Sequence, residues 1–265
     1  MRFRFELRPL ADVRPWGGEK PSLHWFGLTD GWYWIEVGGH QLLRYSDRTL
    51  HRWAAKFGAE RPFPYADYYV ARLWEDLLEM VPTVLEPIPD DLVGFVTRDR
   101  DDWPRGEHTP QAEAAEQWHA ERSIDLGPLR NPPHVRWWRT ITEDGDLVTV
   151  DWTHRPDVEI EFSCPLMGRV EVPTSVFIDA VTTFDRALLA AMDQRITALE
   201  TTGPPAGVAV DVRQLRQEQQ ERARRLGLAR AREVVTDANA VRLGARELLG
   251  GRAGGPRQVK ADEIR

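Results

Sequence analysis

The sequence predicts an α+β fold: an antiparallel β-meander and hairpins packed against amphipathic helices, followed by a C-terminal helical tail. Three observations carry this. Residues 1–45 and 135–172 alternate apolar and polar side chains and are broken at Asp-Gly and Gly-Gly pairs, the pattern of half-buried strands joined by tight turns. Residues 65–81 and 174–199 shift to a helical period with a single apolar stripe. Eleven tryptophans supply large, rigid side chains of the size that fills the space between sheet and helix.

Taken in order, Phe3, Phe5 and Leu7 alternate with Arg2, Arg4 and Glu6, as in a half-buried strand. Residues 23–28, 32–37 and 41–45 follow, separated by Thr29-Asp30-Gly31 and Gly38-Gly39-His40, and predict a three-stranded meander. Over 65–81, Val70, Leu73, Trp74, Leu77, Leu78 and Val81 share one helical stripe, which Pro82 is expected to stop. Residues 82–109 are rich in proline and aspartate and predict a loop around the short apolar segment 92–96. Thr109-Pro110 opens a helix to about 121, threonine as cap and proline at the first helical position. Residues 135–142 and 147–154 form a hairpin about Asp144-Gly145. A further alternating strand is expected at 158–164 and a last short one at 169–172. Pro173-Thr174 then begins the longest helix, to about 199, with Phe177, Val181, Phe184 and Leu188 facing the core.

Composition divides the chain into a single α+β domain at 1–203, a Gly/Pro linker at 204–210 and a basic tail at 211–265, helical and then disordered. The tail holds 13 Arg or Lys against 8 Asp or Glu, so the net charge of −7 leaves −12 for the rest. Its stripe of Val212, Leu215 and Leu226 is thin, and the tail is expected to be dispensable for folding of the body. A body this acidic repels nucleic acid and anionic membranes. With one cysteine, Cys164, no internal disulfide can form. No signal-like or membrane-length apolar run is present in the sequence, and the expected location is the cytoplasm.

Two blocks, LHWFGLTDGWYWIEVGG at 23–39 and DLVTVDWTHRPDVEIEFSCPLMGRVEVPTSVFIDAVTTFDRALLAAMDQRI at 146–196, resemble an uncharacterised bacterial family known only as a domain of unknown function. The likeness spans roughly residues 1–200. It implies one continuous domain and no particular activity, so no catalytic residue follows from it.

The familiar catalytic signatures are missing: the sequence has no G-x-S-x-G, no phosphate-binding glycine loop and no H-E-x-x-H. The candidates for a shared acid–base site are His119, His134 and His154 with Asp151, since histidine beside a carboxylate can move protons near neutral pH. The simpler reading makes them strand-end and surface histidines. Cys164 before Pro165 faces the apolar side of its strand and reads as a small buried hydrophobe rather than a haem ligand. Trp32 and Trp34, with Trp25 and Phe26 nearby, and the pair Trp137 and Trp138 can form a stacking platform if one sheet face is open. Helices over both faces would bury them, and that is the expectation. Asp99, Asp101 and Asp102 lack the spacing of a calcium loop and read as a solvated acidic loop. No metal or cofactor is expected.

The functional expectation is a non-enzymatic interaction protein, regulatory or toxin-neutralising, that binds a basic protein through Trp32, Trp34, Trp137, Trp138 and the three aspartates. The alternative is a small-molecule enzyme or binder with a Trp/His-lined pocket between sheet and long helix.

Overall fold

The computed structural model describes residues 1–58, 62–104, 108–143, 145–156 and 158–250. Its strands are β1 (Arg2–Leu7), β2 (Asp30–Val37), β3 (His40–Leu42), β4 (Ala66–Tyr69), β5 (His134–Thr142), β6 (Gly145–Thr153) and β7 (Met167–Pro173). Its helices are α1 (Asp47–Phe57), α2 (Val70–Leu85), α3 (Asp90–Val96), α4 (Pro110–Ala120), α5 (Thr174–Thr202), α6 (Val212–Arg222), α7 (Arg225–Ala231) and α8 (Ala238–Gly250). The α+β class is as the alternation predicts.

The chain forms two compact units. The first joins Met1–Pro87 to Glu121–Val234, and the second joins Ile88–Ala120 to Val235–Arg265. These divisions differ from the one drawn by composition at 203, and α6 and α7 belong to the first unit.

In the first unit β2 is the centre of a four-stranded antiparallel sheet. β1 lies along one edge of β2, from Arg2 opposite Glu36 to Leu7 opposite Gly31. The other edge is shared, β4 pairing with Asp30–Tyr33 and β3 with Ile35–Val37. The expected strand at 23–28 is instead a turn leading into a short 3-10 helix at Gly27–Thr29. That geometry puts Trp25 and Leu28, three residues apart, into the core together, which an extended strand would forbid. Thr29 fastens the turn: its hydroxyl donates to the Phe26 carbonyl at 2.7 Å and accepts from the Ala71 N–H at 3.1 Å.

The helix expected from 65 starts later, at Val70, because Ala66–Tyr69 is taken by pairing with β2. It also passes through Pro82 and ends at Leu85. Proline costs that helix one bond without ending it. The stop comes from Pro87, which drives Glu86 into an extended conformation (φ −73, ψ 115). Ahead of it, α1 begins at Ser46, whose hydroxyl accepts from the Thr49 N–H at 3.2 Å, and stops at Gly58 in the left-handed region.

β5, β6 and β7 form a second antiparallel sheet in that order. Gly145 (φ 144) follows Asp144, which lies outside the described residues. The strand expected at 158–164 does not form; only the bridge Tyr45–Phe162 marks it. Its alternation is still honoured in burial, with Ile160, Phe162 and Cys164 inside. The Ser46 and Ser163 N–H groups reach the Glu161 and Arg44 carbonyls, so this segment pairs with a loop rather than a ladder.

The core of this unit is where the two sheets and α5 converge. Phe3 of β1 stands 5.8 Å from both Trp137 of β5 and Phe184 of α5, and Trp137 stands 5.8 Å from Phe177. The Trp74 indole on α2 donates to Asp185 on α5 at 2.8 Å. The tail completes this core. Leu215 and Leu226 are buried, the Trp25 indole donates to Gln219 at 2.6 Å, and the Gln219 amide donates to the Leu189 carbonyl at 2.8 Å.

The second unit is helical where described. The short apolar segment 92–96, around which a loop was expected, lies within α3. Thr109 caps α4, accepting from the Ala112 N–H at 3.2 Å, and donates to Glu247 on α8 at 2.6 Å. Gly244 lets α8 approach the α4 backbone: a Cβ there would lie 2.8 Å from the Ala112 Cα. The Arg242 fork holds Asp91 at 2.7 and 3.1 Å. Residues 251–265, where a disordered end was expected, lie outside the described residues. Among the described residues no helix is long and apolar enough to cross a membrane.

Candidate functional site

Asp151 is fixed by the pairing of the second sheet. Arg136 and Arg169 lie directly opposite it on the flanking strands. Arg136 donates to one carboxylate oxygen at 2.8 Å, and Arg169 donates twice to the other at 3.0 and 3.1 Å. This three-strand row occupies the carboxylate as an ion-pair acceptor, which suits a structural role rather than proton transfer.

Asp151 is held by Arg136 and Arg169 and, among the described residues, hydrogen-bonds to neither His134 nor His154. His119 belongs to the second unit, where its ring meets Trp103 edge-on at 4.8 Å and Nε2 lies 3.0 Å from the Arg98 carbonyl. His134 opens β5 and is exposed. His154 follows β6, with Nε2 at 2.9 Å from the Pro165 carbonyl and 3.2 Å from the Cys164 carbonyl. Carbonyls only accept, so Nε2 carries the proton. It therefore cannot take one from the Cys164 thiol 3.7 Å away, and burial pushes that thiol up to about 11. A nucleophile–base pair needs the reverse of both conditions.

The tryptophans separate by strand parity. Trp137 is fully buried against Phe3 and Phe177, and Trp138, on the opposite face of β5, is 2% exposed with the Arg169 guanidinium 5.3 Å from its ring. Neither lies on the surface, so both leave the candidate platform. Of the acidic group, Asp99 precedes and Asp102 ends a short 3-10 helix of the second unit, whereas Trp32 and Trp34 lie in the first. The side chain of Asp101 lies outside those described.

What the first unit does present is a run of four half-buried rings on the outer face of its first sheet. Strand parity sends Tyr33, Ile35 and Val37 inward and leaves Trp32, Trp34 and Glu36 outside. Trp34 stacks on Tyr65 at 3.9 Å and 10°, Tyr65 meets Phe63 at 5.7 Å, and Phe63 meets Trp32 at 4.3 Å. The Arg8 guanidinium lies 4.3 Å over Trp32 and is tied to Asp30 at 3.1 Å and to Asp67 at 2.5 Å. At the other end the Trp34 indole donates to Glu36 at 3.2 Å, and Arg4 donates to the same carboxylate at 3.3 Å. These donors hold the Glu36 carboxyl below the usual carboxylate range against the opposing effect of burial.

Phe63 and Tyr65 were missed by pattern reading because 59–65 has no periodicity. The available signal was proline spacing. Pro62 and Pro64 bracket Phe63, and each biases its predecessor to extended backbone. Beyond Glu36 the sheet face continues into an open cleft of about 650 Å³ bounded by Arg2, the Gly38-Gly39 turn, His40, Ser163 and Cys164. Gly38 (φ 55) is required there twice over, since a Cβ would lie 2.5 Å from Val170 Cγ2.

On α2, which packs against β2, Asp76 is buried with one oxygen lacking a hydrogen-bond partner and Arg72 Nε 3.3 Å from the other. Burial outweighs Arg72 and pushes this carboxyl up to about 7. Among the described residues no three His, Cys, Asp or Glu side chains are grouped as metal ligands.

No curated protein and no solved structure matches the chain. A family of unknown function (DUF5984) matches it over residues 2–244, a span reaching through α6 and α7 and into α8. By that coverage, this chain belongs to the DUF5984 family.

Proposed function

We propose that this protein is a cytoplasmic, non-enzymatic interaction protein, regulatory or toxin-neutralising, that captures a protein partner on the outer face of its first sheet. The observation that carries this reading is the contiguous run Trp32–Phe63–Tyr65–Trp34. Large aromatic side chains with a polar tip are the usual anchors of protein interfaces. Rings already held by their neighbours lose little conformational freedom on binding, so less of the contact energy is spent on ordering. The net charge of −7 supports a basic partner drawn in by long-range attraction. Charges beside the aromatic run itself are of both signs and would set register more than attraction.

A small-molecule ligand is the second reading, favoured by the open cleft beside Gly38-Gly39. The space between sheet and long helix does not favour it, because Phe3, Trp137, Phe177 and Phe184 pack together there.

The test pairs wild type with Trp32→Ala/Trp34→Ala as bait. A partner retained by wild type and lost by the variant, at unchanged melting temperature, supports the reading, and its association should slow with added salt. The same partners retained by both would remove the aromatic run as the site.

A further inference from the structure

We infer that β7 is a self-pairing edge, through which two copies of this chain join their second sheets into one continuous six-stranded sheet. β7 is bonded to β6 along one edge only. Among the described residues, no backbone group from Met167 to Val172 bonds outside that ladder. The opposite edge of the sheet is treated differently. There Ser123 bridges Arg136, the Ile124 and Trp137 N–H groups bond to the Val135 and Arg122 carbonyls, and Pro87 bridges Arg139. An uncovered edge is a template for another strand.

The sequence of β7 selects which strand. A two-fold axis that pairs identical strands antiparallel stands perpendicular to the sheet and keeps each face on its own side. Opposed residues must then have the same parity, so the axis passes through a residue and not between two. Within the middle of β7 three centres are available. A centre at Arg169 sets two guanidinium groups against each other, and a centre at Glu171 sets two carboxylates against each other. A centre at Val170 places Arg169 opposite Glu171 of the second copy, twice, and both side chains are exposed on the same face. Cross-strand pairs of opposite charge favour that register and like charges oppose the other two.

The flanking residues agree with the Val170 centre. Val172 falls opposite Gly168 of the second copy, where there is no side chain to crowd it. Met167, 73% exposed, falls opposite Pro173, with Leu166 (47%) and Val176 (36%) beside this apolar end. Arg169 is already positioned, since Asp151 holds it from within its own sheet by two bonds, so little side-chain freedom remains to be lost. The charged residues that ordinarily guard an edge against foreign strands here match only a second copy of themselves.

Sedimentation equilibrium of the full chain over a wide concentration range tests this. Wild type is expected to dimerise. Glu171→Arg should weaken the dimer by about tenfold or more, because symmetry replaces two opposite-sign pairs by two like-charge pairs. Glu171→Gln should fall between them. Hydrogen exchange supplies an independent readout: β7 amides should become more protected as wild type is concentrated, and not in Glu171→Arg. If Glu171→Arg fails to fold, Met167→Lys at the exposed end carries the same comparison. A wild type that stays monomeric at every concentration overturns the inference. So does a dimer whose affinity and β7 exchange are indifferent to these changes.

Discussion

Replacing Arg222 by alanine tests how firmly the basic tail is built into the first unit. The guanidinium lies 4.1 Å from the Trp25 ring and 5.5 Å from the Trp74 ring. It donates to Glu75 at 2.6 Å and to Glu218 at 2.8 and 3.0 Å. A cation over desolvated indoles contributes about 0.5–2 kcal/mol. The two carboxylates keep some water, with side chains 22% and 30% exposed, so each pair is worth about 0.2–1 kcal/mol rather than the larger figure for a dry pair. The aliphatic stem is nearly enclosed and adds about 0.8 kcal/mol per methylene lost. Together these give a loss of about 3 kcal/mol. The assay is urea unfolding followed by tryptophan fluorescence; the midpoint should fall at constant slope. Arg222→Lys, which keeps charge and stem but not the planar fork, should lose about half as much. A loss below about 1 kcal/mol for Arg222→Ala would refute the docking of α6 on Trp25 and Trp74.

Truncation after Gly203 removes Leu215, Gln219, Arg222 and Leu226 at once, and thermal melts of the truncated chain should show a broadened or absent cooperative transition. A transition close to full length would return the tail to the dispensable role that its composition suggests. Phe184→Ala, which empties a site bounded by Phe3 and Phe5, should cost about 3–5 kcal/mol in the same urea assay, and a loss under about 1 kcal/mol would mean that α5 presents another face. Asp76→Asn should flatten the pH dependence of stability. Burial raises the folded carboxyl from its ordinary 3.8 to about 7, so its contribution is complete below that lower value and is lost as pH rises to about 7. The variant should therefore gain on wild type in melting temperature as pH rises from about 4 to about 7 and keep that gain above it, and a variant that tracks wild type across this window would contradict the assignment.

Local sequence determined the elements whose signal is their own chemistry. The alternation of 135–153 and the stripe of Phe177, Val181, Phe184 and Leu188 each specify a face without reference to the rest of the chain. Thr109-Pro110 marks a helix start because a hydroxyl can satisfy N–H groups two or three residues on, whereas the equivalent cap at Ser46, and with it α1, was not read from the sequence. Burial parity was legible even where the ladder was not: Ile160, Phe162 and Cys164 are inside although no strand forms. Tertiary structure decided everything that depends on a distant partner. Residues 23–28 have strand composition, yet β1 occupies one edge of β2 and β3 and β4 share the other, so no edge of β2 was left for them. Whether Trp138 lies on the surface or inside, and whether Arg222 meets water or two indoles, depends on what other segments bring to the same place. The candidate site divides along the same line. Trp32 and Trp34 were visible as a repeating aromatic pair, whereas Phe63 and Tyr65 joined them only because two prolines and the β2 edge placed an unpatterned loop beside the sheet. Local patterns report the period of a backbone; contacts between segments of low periodicity leave no local trace and are settled by which surfaces remain free once the sheets have formed.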